Sequence, residues 1–150
     1  MTDNYVMTEE TILLDIDASN KHEVFEIMSE NLYRLKRISS KEKFIRSLYE
    51  RESQGETGVE LGLAIPHGKS EAVIINTLSM CRLNKSIEWE TLDDSPVNII
   101  VMFAVSKGEN ANDEHLDLLA KVAGNLSESE ILDFLKISNN KSDIIKKLLS

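Results

Sequence analysis

Cysteine is nearly missing from this 150-residue chain: Cys81 stands alone. No internal disulfide can form, and a reducing, cytoplasmic setting fits. Long apolar runs are missing too. No stretch approaches the length of a membrane span, so no direct membrane insertion is expected, and the N-terminus lacks the basic and apolar regions of a signal peptide. Positive charge is in short supply, with 17 Lys and Arg against 26 Asp and Glu and a formal net charge of −9. That balance argues against nucleic-acid binding, while an acidic surface suits a basic protein partner. Glycine and proline never cluster into a linker, and no repeat or low-complexity tract divides the chain. What remains is an expectation of one domain over residues 1–150, with a core large enough to fold alone and residues 1–10 loose.

What is present is periodicity. "TILLDI" (11–16) reads as a short strand or an extended lead-in. Val24, Ile27, Met28, Leu32 and Leu35 recur at helical spacing within 19–38, with Asn20 and Glu23 as its cap. A second helix is expected over 39–53, capped by Ser39 with Glu42 and carrying Phe44, Ile45, Leu48 and Tyr49 on its apolar face. Gly55 and Gly58 then break the pattern. "LGLAIPH" (61–67) looks like a buried strand running into a turn, and 73–83 and 97–105 are β-branched strand candidates. Residues 86–96 read as an edge segment followed by a turn. A helix over 112–127 turns Leu116, Leu119, Ala120, Ala123 and Leu126 inward, and two more helices follow near 128–137 and 140–149, the first capped by Ser127 with Glu130. Helices before, among and after the strands imply an α/β fold, a small mixed sheet flanked by helices on both faces. The pattern leaves the strand order open.

Three histidines are available for chemistry. His22 sits on the polar side of the first helix and reads as a solvated residue. His67 lies between Pro66 and Gly68, two residues that shape backbone. Two readings of it stand equally: an imidazole that holds a turn in place, or a nucleophile displayed at a strand end. His115 opens a helix, where free N–H groups and the macrodipole favour anions, although Asp113 and Glu114 cut against that. Arg51 ends the second helix just before a loop containing Gly55, Thr57 and Gly58. It reads as a solvated charge or as a fork for phosphate oxygens, with the loop offering N–H groups and a hydroxyl to the same anion. Together these residues have the parts of a phosphohistidine site.

The stretch "RESQGETGVELGLAIPHGK" resembles the active-site signature of the fructose/mannitol-type EIIA domains of the bacterial phosphoenolpyruvate-dependent sugar phosphotransferase system. Arg51-Glu52, Thr57-Gly58 and Gly62-Leu63-Ala64-Ile65-Pro66-His67-Gly68 carry the likeness. "EHLDLLAKVAGNL", with His115-Leu116 and Leu119, resembles the family's second block, and "IEWETLDDSPVNIIVMFAV" its tryptophan segment. The resemblance covers roughly residues 10 to 150.

The resemblance implies a phosphoryl relay. His67 would accept the group from phospho-HPr and pass it to a cysteine of EIIB, with the membrane component EIIC moving the sugar. His115 would assist, Arg51 would meet the phosphate, and Thr57, Gly58 and Glu52 are candidates for the loop around it. Glu52 reads either as a solvated side chain or as one that orients Arg51 or His115. No metal or other cofactor is required. Cys81 and Trp89 read as core residues. A regulatory, nitrogen-type relative with the same histidine chemistry is the alternative. A metal hydrolase using His67, His115 and Asp113 or Glu114 is a weaker third reading, since the histidines are far apart in sequence.

Overall fold

The computed structural model describes residues 6–107 and 111–150, with side chains from 111 to 116 excepted. In chain order the elements are β1 (Ile12–Ile16), α1 (Lys21–Arg34), α2 (Lys41–Glu52), β2 (Leu63–Ala64), β3 (His67–Ser70), β4 (Thr77–Ile87), β5 (Val97–Ser106), α3 (Ala111–Leu126), α4 (Ser129–Ile137) and α5 (Lys141–Leu149). The five strands form one mixed sheet in the order β1-β4-β5-β2, with β3 also on β5. β1 is parallel to β4, β4 antiparallel to β5, and β2 and β3 parallel to β5. The expected mixed sheet between helices is therefore present.

β5 is a nearly continuous apolar run because both its faces are covered. Ile99, Val101, Phe103 and Val105 join the cluster made with α3, α4 and α5. Ile100, Met102 and Ala104 join the opposite cluster, where Phe25, Met28, Leu32, Phe44 and Leu48 of α1 and α2 pack. Trp89 lies in this second cluster and Cys81 is fully buried there, both as core residues.

The edge of the sheet departs from expectation. Leu63 is opposite Ile99 and Ala64 opposite Ile100; His67 is opposite Phe103 and Gly68 opposite Ala104. The register is the same on both sides of Ile65-Pro66, so β2 and β3 are one edge strand with a break. Proline brings no N–H to the ladder, which is tolerated on an edge, while the Pro66 carbonyl still accepts from the Phe103 N–H at 3.0 Å. His67 thus opens a strand; the turn expected after it comes later, around Ser70–Val73, where Val73 N–H meets Ser70 O.

Other boundaries shift for local reasons. α1 starts at the expected Asn20 cap, whose side chain accepts from Glu23 N–H at 2.9 Å, but ends at Arg34 because Lys36 turns left-handed at φ 61°. The cap of α2 is Ser40, which accepts from Lys43 N–H; Ser39 instead bonds Ala72 O. Ser127 turns its hydroxyl back to Gly124 O and does not cap α4, whose first flanking residue is Glu128. β4 begins later than expected, since Val73 pairs with Ile38, and runs on to Ile87 through exposed Asn84-Lys85-Ser86. On α3, Val122 is buried and Ala120 exposed, so the inward stripe is rotated from the expected one; Leu116 falls among the side chains not described. Tyr49 on α2 is exposed. Of the expected loose end, residues 1–5 lie outside the described residues, and Val6 is bonded to Asn76 and Leu78. Among the described residues, no helix is long and apolar enough to cross a membrane.

α2 lies directly on β3. A Cβ built on Gly68 would sit 2.5 Å from Phe44 Cε1 and 2.7 Å from Ser47 Oγ. Gly68 is therefore a close-approach glycine that lets the helix carrying Arg51 settle on the strand carrying His67. Gly68→Ala is expected to push α2 outward at a cost of about 1–3 kcal/mol, lowering Tm by roughly 2–10 °C for a domain of this size. An unchanged melting curve would mean that α2 is not seated as described.

Candidate functional site

Strand alternation decides which way His67 faces. Gly68 turns toward α2, so His67 and Lys69 turn to the other face, the one covered by α3. There the His67 ring lies against its register partner Phe103, centroids 5.8 Å apart. α3 packs on this face through Val122 and Leu126. Sheet register therefore places His67 on the face covered by the helix whose first turns include His115. The side chains of His115, Asp113 and Glu114 lie outside the described residues, so the assisting role and the metal-hydrolase reading are untouched by geometry. Among the described residues, no three His, Cys, Asp or Glu side chains gather as a metal site.

The His67 ring is half-buried, and its Nδ1 is 2.8 Å from Ile65 O. A carbonyl can only accept, so Nδ1 carries a proton and, in the neutral ring, Nε2 carries the lone pair. Ile65 is itself held from outside. Its N–H donates to Thr57 O at 2.9 Å, Val59 N–H donates to Leu63 O at 2.9 Å, and Gly58 bridges Ala64. Residues 57–59 thus form an outer rung against the 63–65 edge, closed by a turn in which Leu61 and Gly62 have φ of 60° and 86°. Gly58 permits a close approach: a Cβ there would collide with Glu90 O and with Thr91 Cγ2. Glu60 is exposed.

Thr57 and Glu52 differ from their expected forms. Thr57 is 4 % exposed, and its hydroxyl donates to Glu52 Oε2. The hydroxyl expected for an anion is therefore directed to a carboxylate. The Glu52 side chain is 8 % exposed and neither solvated nor turned to Arg51; its Oε1 meets Lys21 Nζ at 3.2 Å. Lys21 also reaches Glu90 Oε1 at 2.8 Å and stands 5.7 Å from the Trp89 ring centroid. Burial works to lower the Lys21 pKa, but the hydrogen bond to Glu90, together with charge attraction and hydrogen bonding to Glu52, outweighs it and holds the ammonium above its ordinary value. The hydrogen bond from Lys21 in turn holds the Glu90 carboxyl below the usual range.

Arg51, half-buried at the end of α2, donates from Nη1 to Gly55 O at 2.8 Å. One of the five guanidinium N–H donors is occupied by this loop contact. Lys21 escaped the sequence reading altogether. A lysine at the first position of a helix has no local mark that separates it from solvated charge. Beside the Lys21–Glu52 pair opens a cleft of about 510 Å³ that also borders Tyr49, Glu56 and Glu90. Its lining carries more acid than base, which makes it a poor seat for a phosphoryl group. Cys81 is no nucleophile, since burial pushes its thiol up to about 12.

The chain matches the family model described as phosphoenolpyruvate-dependent sugar phosphotransferase system, EIIA 2, over residues 5–150. It is 30 % identical over 140 residues to a fructose-specific EIIABC component of Bacillus subtilis, covering 93 % of this chain but 22 % of that relative. It thus spans about a fifth of that protein's length. A mannitol-specific enzyme IIA component of Staphylococcus aureus is 28 % identical over 142 residues, with 93 % of this chain and 92 % of the relative covered. Among solved structures, the nitrogen regulatory protein IIA-Ntr of Neisseria meningitidis superposes with a TM-score of 0.87 at 29 % identity, covering 95 % of this chain and 96 % of that one. With the signature around His67 folded onto one sheet edge and the match running nearly end to end, the chain belongs to the EIIA 2 family of the sugar phosphotransferase system, a family of phosphotransferases.

Proposed function

We propose that this chain carries a phosphoryl group on Nε2 of His67, taking it from phospho-HPr and giving it to a cysteine of an EIIB partner in a cytoplasmic sugar relay of fructose type. The observation that carries the reading is the 2.8 Å bond from His67 Nδ1 to Ile65 O, because it assigns the lone pair to the other nitrogen. In the first step the P–N bond of the donor histidine breaks as the P–Nε2 bond forms, and Nδ1 keeps its proton. In the second, a cysteine thiolate attacks phosphorus and the P–Nε2 bond breaks. Such transfers depend on positioning and on stabilising charge on the equatorial oxygens more than on covalent activation. Arg51 supplies that charge through donors other than the one on Gly55, and His115 assists from the first turns of α3, where the macrodipole favours an anion. The EIIC component then moves the sugar.

A second reading keeps the histidine chemistry and changes the recipient. The 0.87 TM-score to a nitrogen regulatory IIA favours a chain that signals its phosphorylation state to a protein. Transfer to an EIIB cysteine separates the two, because a purely regulatory carrier passes nothing on.

Incubation with phosphoenolpyruvate, enzyme I and HPr, read by intact mass, is expected to add one acid-labile phosphoryl group that is absent in His67→Ala. Equal labelling of that variant would remove His67 from the relay. His115→Ala is expected to accept the group but to pass it to EIIB more slowly, by about 10²-fold if it positions the phosphoryl group. Unchanged onward transfer would exclude it. Arg51→Lys is expected to slow both transfers by about tenfold or more, since a point charge does not reproduce the guanidinium fork. Wild-type rates there would make Arg51 a bystander.

A further inference from the structure

We infer that Lys21, Glu52 and Thr57 form a positioning device that fixes the tautomer and aim of His67 from the far side of the sheet edge. The inference rests on the reading of His67 as the phosphoryl acceptor and adds to it residues that hold the acceptor without touching the phosphoryl group.

The bonds run in one direction. Lys21 Nζ donates to Glu52 Oε1 at 3.2 Å, and the Thr57 hydroxyl donates to Glu52 Oε2. Thr57 O accepts the Ile65 N–H at 2.9 Å, and Ile65 O accepts His67 Nδ1–H at 2.8 Å. The N–H and C=O of one residue point the same way in a strand, so both polar groups of Ile65 face outward, away from β5. The ladder to β5 holds the neighbours Ala64 and Pro66, while the outward groups of Ile65 itself are taken by Thr57 O and His67 Nδ1.

Each member needs the one before it. Thr57 sits in a short segment just after a loop of exposed residues 53–56, and without a side-chain anchor the segment would follow that loop. A charge-assisted acceptor on its hydroxyl is the stronger kind of anchor. A carboxylate as buried as that of Glu52 is costly unless paired. Lys21 provides the pairing, and is itself fixed by Glu90 and by the face of Trp89. Trp89 is seated in the core against Phe25, with ring centroids 5.7 Å apart. The device thus anchors the imidazole to α1 and to the core beneath it, on elements that do not carry it.

The test reads the ring directly. Long-range ¹H–¹⁵N correlation on the unphosphorylated, ¹⁵N-labelled chain distinguishes the Nδ1–H tautomer from the Nε2–H tautomer. Wild type is expected to show Nδ1–H at His67. Thr57→Val preserves shape and removes the hydroxyl; it is expected to show a mixture of tautomers and to accept phosphoryl from phospho-HPr about tenfold more slowly. Thr57→Ser restores the hydroxyl and is expected to restore both. Lys21→Met, which takes the cation from Glu52, is expected to shift the spectrum and the rate in the same direction by a few fold. Wild-type ring shifts in both Thr57→Val and Lys21→Met would overturn the inference, as would a Thr57→Ser chain that behaves like Thr57→Val. The spectra need no phosphoryl donor. A wild-type chain that takes nothing from phospho-HPr therefore refutes the relay, and leaves the ring shifts to judge the positioning device separately.

Discussion

The structure depends on one strand being buried on both faces and paired on both edges. β5 has β4 on one side and the β2–β3 edge on the other, with α1 and α2 over one face and α3 to α5 over the opposite one. Its side chains alternate between the two hydrophobic clusters, so a slip of one residue would exchange both sets at once. That constraint fixes the register of the outer edge, and the edge fixes His67. Because His67 is opposite Phe103 and Gly68 opposite Ala104, the imidazole must face α3 and the glycine must face α2. The two helices bearing the other site candidates are thereby assigned to opposite sides of the strand that bears the first.

The break at Ile65-Pro66 then has a physical role. An unbroken edge strand would leave the outward N–H and C=O of Ile65 to solvent or to another chain. Here the N–H is taken by Thr57 and the C=O by His67 Nδ1. Proline deletes one inward donor and stiffens the backbone immediately before the histidine. The carbonyl that orients the ring is thus preceded and followed by constraints: the outer rung before it and the proline after it. Preorganisation of this kind matters for phosphoryl transfer, where misplacement of a reacting atom by about 1 Å costs on the order of 10²-fold.

Much of this was legible in the sequence, and the remainder was hidden for identifiable reasons. The helices over 19–38, 39–53 and 112–127 showed themselves by periodicity, and the signature from Arg51 to Gly68 identified the family. His67 was placed at a strand end because Pro-His-Gly is turn-like locally; that it continues an edge strand follows from its register against β5, which no local pattern encodes. Ser39 and Ser127 have capping spacing, yet the Ser39 hydroxyl goes to Ala72 O, a tertiary neighbour, and the Ser127 hydroxyl to Gly124 O, one turn back at the end of α3. Glu52 read as solvated because helix-end glutamates ordinarily are; its burial is created by α1 arriving with Lys21 from 31 residues away in sequence.

That last pairing also changes the meaning of the motif. Arg51-Glu52 and Thr57-Gly58 look on the page like a loop prepared for an anion. In the fold, the acid and the hydroxyl satisfy each other, and the glycine makes room for the Glu90–Thr91 backbone and side chain. Arg51 keeps guanidinium donors beyond the one on Gly55 O. A negative residue in the signature of a phosphoryl carrier is then no paradox. A carboxylate as buried as that of Glu52, neutralised by Lys21, contributes little field beyond its partners, while its other oxygen holds the Thr57 hydroxyl. The motif thus interleaves residues of two kinds: Arg51 and His67, which the proposed relay assigns to the phosphoryl group, and Glu52, Thr57 and Gly58, which bond to one another or pack against Glu90 and Thr91.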